Sequence, residues 1–77
     1  MKEYDLVELI VDREEYAKEG VHKGMFGAVM SDTPINGKWQ VIFSEFYTGY
    51  DIADILVLES DLLIHERIPP DRYPPRN

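Results

Sequence analysis

Residues 20–31 read Gly-Val-His-Lys-Gly-Met-Phe-Gly-Ala-Val-Met-Ser and hold three of the five glycines in the chain. Gly24 and Gly27 are three apart, and a short apolar run follows them. A chain that turns at a glycine able to take positive φ enters its next strand abruptly. A second glycine in that strand marks a bend or a close approach of two backbones. This combination constrains the chain to a small curled β-structure with a tight turn. At 77 residues the chain is one domain, and a hydrophobic content of 44% is enough to fill one core.

The rest of the chain supplies strands of the same kind. Tyr4 to Val11 alternates Val7, Leu9 and Val11 with Leu6, Glu8 and Ile10, and its β-branched content favours a strand. Asp12 to Glu19 is polar and has no apolar stripe to bury, so an irregular loop is expected, closed by Gly20, with Tyr16 folding back over the end of the sheet. Its other reading is a contact residue on a binding loop. Met25 to Ser31 is the second strand and Lys38 to Glu45 the third, with Trp39, Val41 and Phe43 on one face. Between them Asn36-Gly37 signals a type I′ turn, since both residues tolerate positive φ, and Pro34 sits outside the ladder because it has no donor. Phe46 to Asp51 is an aromatic-rich turn around Gly49, and Ala53 to Leu58 is a fourth strand. Glu59 to Leu62 suits one 3₁₀ turn, and Leu63 to Glu66 is the closing fifth strand.

Composition changes at Arg67. Residues 67–77 hold Pro69, Pro70, Pro74 and Pro75 with Arg67, Arg72 and Arg76, and are expected to be extended or disordered. The domain is therefore placed at residues 1–66 and a flexible Pro/Arg tail at 67–77. The tail lacks Pro-x-x-Pro spacing, which speaks against its being a ligand for proline-reading domains. Charge follows the same division. The formal net charge is −7, and three of the eight Lys and Arg residues lie in the tail, so the body is more acidic than the whole. That is the wrong sign for nucleic acid and suits solubility or steering towards a basic protein.

The order of a long first loop, a tight hairpin and a 3₁₀ turn before the last strand is that of the SH3-like barrel. The chain resembles a group of short, uncharacterised bacterial proteins with this barrel. The likeness rests on Asp5, Val7 and Leu9; on Lys23, Gly24, Gly27 and Val29; on Val41 and Phe43; and on Asp61 with Leu62, and it spans residues 4–66. It implies an all-β, five-stranded SH3-like small barrel. Its motifs are turn glycines and core hydrophobes, which speak to fold far more than to function. The Gly24–Val29 stretch also resembles the strand-turn of ribosomal and transcription-factor barrels that contact RNA. Those are basic there, and here only His22 and Lys23 flank the turn, so no nucleic-acid binding is expected. The acidic-aromatic first loop of signalling SH3 domains is only echoed in Glu14-Glu15-Tyr16.

No catalytic or metal constellation emerges. His22 and His65 have no metal-ligand spacing and sit beside charged residues, so both are expected at the solvated surface. Asp51 and Asp54 lack the further oxygens of a calcium loop. Ser31, Ser44 and Ser60 have no base nearby in sequence. No enzyme activity, cofactor or metal is expected. No apolar run is long enough to cross a membrane, no apolar leader is visible after Met1, and cysteine is absent, so a cytoplasmic location is expected.

The aromatic cluster is the best functional pointer. Trp39 and Phe46 are assigned to the core, whereas Tyr47 and Tyr50 lie in a polar turn. Exposed tyrosine gives large contact area for little entropy, and Glu45, Asp51 and Asp54 surround these two with negative charge. The expectation is a non-catalytic, small acidic protein-binding module with Tyr47 and Tyr50 as anchors and Glu45, Asp51 and Asp54 as an electrostatic ring. Its partner would be a basic protein, as for an immunity or antitoxin protein neutralising a toxin. The other reading of the tyrosines is that they cap the barrel. The alternative function is a structural barrel that forms a homodimer through a sheet edge or its tail.

Overall fold

The computed structural model describes residues 1–45 and 47–72. The strands are β1 (Leu6–Leu9), β2 (Phe26–Val29), β3 (Lys38–Ser44), β4 (Asp51–Leu58) and β5 (Leu62–His65). One helical turn, α1 (Glu14–Ala17), follows β1, and 3₁₀ turns occupy Glu59–Asp61 and Pro70–Arg72. All neighbouring strands are antiparallel, in the order β4-β3-β2-β1-β5. Among the described residues β4 and β5 are not paired with each other, so the architecture is an open five-stranded sheet.

The alternation read in the third strand holds at every position. Trp39, Val41 and Phe43 are buried, and Lys38, Gln40, Ile42 and Ser44 are half-buried. Strand register lines residues up across the sheet. Ile64, Val7, Gly27, Phe43 and Ala53 form one row on the core side. His65, Leu6, Ala28, Ile42 and Asp54 form the adjacent row on the outer side. The core is rich in valine: Val7, Val21, Val29, Val41 and Val57 are fully buried.

Gly27 is where the inner row is tightest. A Cβ there would lie 2.7 Å from the Ile42 carbonyl oxygen and 2.8 Å from Val41 Cγ1. The turn between β2 and β3 uses φ of 53° at Asn36 and 78° at Gly37. Ile35 and Lys38 exchange both backbone hydrogen bonds around it, at 2.7 and 3.0 Å. This is the type I′ geometry that Asn-Gly favours.

Several boundaries differ from the sequence expectation. β1 is shorter than Tyr4–Val11 because Tyr4 takes φ of 72°, and the Ile10 amide turns to the Asp61 carbonyl. β2 is confined to Phe26–Val29. β4 begins two residues early, at Asp51, through a register shift opposite Phe43 and Ser44. β5 begins one residue early, at Leu62. The expected irregular loop contains α1, held not by an apolar stripe but by one side chain, Tyr16, which is 2% exposed. His22 is exposed as expected, whereas His65 is half-buried, its side chain 17% exposed beside Glu8. In the tail, Pro70–Arg72 form a 3₁₀ turn rather than an extended run, and Ile68 and Pro69 are half-buried. Phe46 and residues 73–77 lie outside the described residues.

The loop around α1 is fastened to the sheet by Asp61, only 3% exposed. Arg13 donates from Nε to Asp61 Oδ2 at 2.7 Å and from Nη2 to Oδ1 at 3.0 Å. The Tyr16 hydroxyl donates to Oδ2 at 2.8 Å and accepts the Leu58 amide at 3.2 Å. The Arg13 guanidinium, helped by the Tyr16 hydroxyl and opposed by burial, holds the Asp61 carboxyl below the usual carboxylate range.

Two outcomes follow for stability. Gly27→Ala should lower the unfolding free energy in urea by about 2 kcal/mol, because backbone as well as side chains must shift. A lowered folded-state pKa means that Asp61 stabilises the fold fully above about pH 4, the unfolded carboxyl value, and progressively less as pH falls through its folded value. Asp61→Asn should therefore cost about 2–3 kcal/mol at neutral pH. The gap to wild type should narrow in acid-titrated urea melts below about pH 4.

Candidate functional site

The outer face of the sheet is apolar at its centre. Leu6 on β1, Phe26 and Ala28 on β2 and Ile42 on β3 share this face and are all half-buried. They floor a groove of about 580 Å³. One wall is the segment linking β3 to β4, through Ser44, Glu45, Gly49 and Asp51, and the other side is reached by Ile68, which follows β5. A second concavity, of about 560 Å³, runs along the charged side of α1 past Asp12, Arg13 and Lys18. It has no apolar floor, and Arg13 is already engaged with Asp61.

The wall between β3 and β4 is built by Glu45. Its carboxylate Oε2 accepts the backbone amides of Tyr47 at 3.0 Å and Thr48 at 2.6 Å. Its own amide donates to the Tyr50 carbonyl at 2.8 Å, and its carbonyl accepts the Gly49 amide at 3.0 Å. Gly49 takes φ of 75°, which closes the turn. The turn is thus organised by its own hydrogen bonds. Tyr47 is 38% exposed and Tyr50 is 78% exposed, so both stand at the surface of this turn.

Asp51 and Asp54 follow on β4, both exposed. Asp51 Oδ1 accepts a long hydrogen bond from Ser44 Oγ at 3.4 Å. Asp54 accepts Gln40 Nε2 on both oxygens, at 3.0 and 3.2 Å, and lies directly across from Ile42. Of the five expected residues, Glu45 and Asp51 line the groove; Tyr47 and Tyr50 lie on the turn between them, and Asp54 stands across from Ile42 of the floor. Glu45 is exposed like Asp51 and Asp54, and its carboxylate in addition braces the turn.

Two arrangements escaped the sequence reading. The groove joins half-buried residues from three strands and a segment beyond the fifth, and no local motif announces it. At its far side His65 Nε2 lies 2.9 Å from Glu8 Oε1, and the His65 ring is tilted at 54° to Phe26 with centroids 5.1 Å apart. Glu8 is buried, and lies two residues along β1 from the partner of His65. Alternation had placed Glu8 and Leu6 on one face, which was the available signal, but not that the sheet would bury it. Among the described residues no group of three or more His, Cys, Asp or Glu could hold a metal ion. None of their helices is long and apolar enough to cross a membrane.

Removing the brace should loosen the turn without unfolding the sheet. In Glu45→Ala the amides of Tyr47 and Thr48 should exchange with deuterium about tenfold faster, the loss of a charge-assisted hydrogen bond. Global stability in urea should change by less than about 1 kcal/mol. Comparison of the chain with protein-family models, with curated proteins and with solved structures finds no match.

Proposed function

We propose that this protein is a non-catalytic binding module with an SH3-like fold, whose acidic surface docks a basic protein. The element order supports the SH3-like reading: a long loop after β1, a tight β2–β3 turn and a 3₁₀ turn before β5. One observation carries the functional reading. The apolar groove and the exposed carboxylates of Asp51 and Asp54 lie side by side, with Tyr47 and Tyr50 on the turn that walls the groove. A surface of this kind takes aliphatic side chains on its floor and Lys or Arg at its rim, and aromatic anchors add contact area at small entropic cost. A net charge of −7 would speed encounter with a basic partner. Neutralisation of a basic protein, as by an immunity or antitoxin protein, is the biological role that fits this chemistry, and a cytoplasmic location fits the cysteine-free sequence.

A second reading is self-association. It is favoured by the exposure of Leu63 and Ile64, at 49% and 47%, on the edge strand β5. Sedimentation of the full chain and of residues 1–66 separates the two. A dimer that depends on the tail or on Leu63 supports self-association, and a monomer at all concentrations removes it.

The docking reading is tested by selecting binders from a randomised peptide library. Selected peptides should be enriched in Lys and Arg beside aliphatic residues. Their affinity should fall about tenfold or more in Asp51→Lys/Asp54→Lys and in Tyr47→Ala/Tyr50→Ala, and should weaken as salt is raised. Selected peptides without basic enrichment, or bound equally by these variants, would overturn the assignment.

A further inference from the structure

β4 ends the sheet and, with eight residues, is its longest strand. Its hydrogen-bonding phase can be read from its neighbour. The Gln40 carbonyl accepts the Met30 amide at 2.8 Å and the Gln40 amide donates to Ser31 Oγ at 3.3 Å, so the main-chain groups of Gln40 face β2. Those of Trp39, Val41 and Phe43 therefore face β4, because successive residues of a strand point their N–H and C=O to opposite sides. Across the ladder Gln40 stands opposite Leu56 and Ile42 opposite Asp54. The amides and carbonyls of Leu56 and Asp54 thus point away from β3, to the open side. Leu58 is in the same phase, and its amide is met by the Tyr16 hydroxyl. Among the described residues no hydrogen bond reaches the outward main-chain groups of Asp54 and Leu56.

An open edge is normally blunted by lysine, proline, shortness or a bulge. β4 carries neither lysine nor proline. The register shift near Asp51 and the Tyr16 hydroxyl at Leu58 close its two ends and leave residues 53–57 as a window. The side chains beside that window alternate in character along the outer face: Asp54 is exposed and charged, and Leu56 is 44% exposed and apolar. The opposite edge, β5, is half as long, and Met1 and Glu59 line a concavity beside it.

We propose that the basic partner binds as an added β-strand along residues 53–57. Its main chain bonds to the outward groups of Asp54 and Leu56, and its Lys or Arg side chains reach Asp54 and Asp51. This rests on the docking reading above and specifies how the partner is held. Charge selects the occupant. A second copy would bring two chains of net charge −7 together along edges that each carry Asp51 and Asp54, whereas a basic strand neutralises them. Main-chain bonds give such a complex its affinity, and alternate side chains give it selectivity.

The probe is a capped peptide alternating valine and lysine, with two N-methylated versions, one methylated on the lysine amides and the other on the valine amides. The parent peptide should bind in low salt and slow the deuterium exchange of the Asp54 and Leu56 amides about fivefold or more. One N-methylated version should lose about tenfold or more in affinity and the other should bind like the parent, because only one set of peptide amides faces the edge. Asp54→Lys should weaken the parent peptide about tenfold. If both methylated peptides bind like the parent, or the two amides exchange unchanged, strand addition is overturned while acidic docking stands. If binding is instead indifferent to Asp54→Lys and to salt, the docking reading falls with it. Absence of any binding, or protection of these amides by dimer formation without peptide, also overturns the proposal.

Discussion

The buried carboxylate of Asp61 ties the first loop, which strand pairing does not reach, to the junction of β4 and β5. It receives two hydrogen bonds from Arg13 and one from Tyr16, and its own carbonyl accepts the Ile10 amide. Through Tyr16 it also reaches the amide that ends β4. A carboxylate this buried is tolerated only because its oxygens are engaged by a cation and a hydroxyl. In exchange, a polar loop with one helical turn is held against the sheet by a single aromatic side chain. This contact sets where the end of β4 lies relative to the first loop.

The two faces of the sheet divide the work. The inner face is filled by valines and Phe43 around Gly27, where close approach of the β2 and β3 backbones leaves no room for a side chain. The outer face is apolar at its centre but only half covered, with the Glu8–His65 pair at one side and the carboxylates of Asp51 and Asp54 at the other. The turn braced by Glu45 belongs to this outer face. It places two tyrosines next to the groove without drawing on the core.

Much of this was legible in the chain wherever one local signal decided the outcome. Alternation placed Trp39, Val41 and Phe43 inside, Asn36-Gly37 specified its turn, and Gly27 marked the close approach. Tyr47 and Tyr50 are exposed as their polar turn suggested. What was not legible depends on residues far apart in sequence. Arg13 and Asp61 are 48 residues apart and Glu8 and His65 are 57 apart, and no periodicity reports such pairs. Glu45 resembled its acidic neighbours until its carboxylate was found bonded to the amides of its own turn. The open edge was hidden for a different reason: a strand reads alike whether it has one neighbour or two.

The sheet order also has a kinetic side. β2, β3 and β4 form a meander in which each strand pairs with the next, whereas β1 and β5 meet only across nearly the whole chain. Leu9 and Leu62 are separated by roughly four times as many residues as Val29 and Val41. Loop-closure entropy makes the longer closure costlier by about 1.3 kcal/mol. The meander is therefore the cheaper structure to form first. Arrival of β5 beside β1 brings Asp61 to Arg13 and Tyr16, so the contact that fixes the first loop is also one that locks the finished fold.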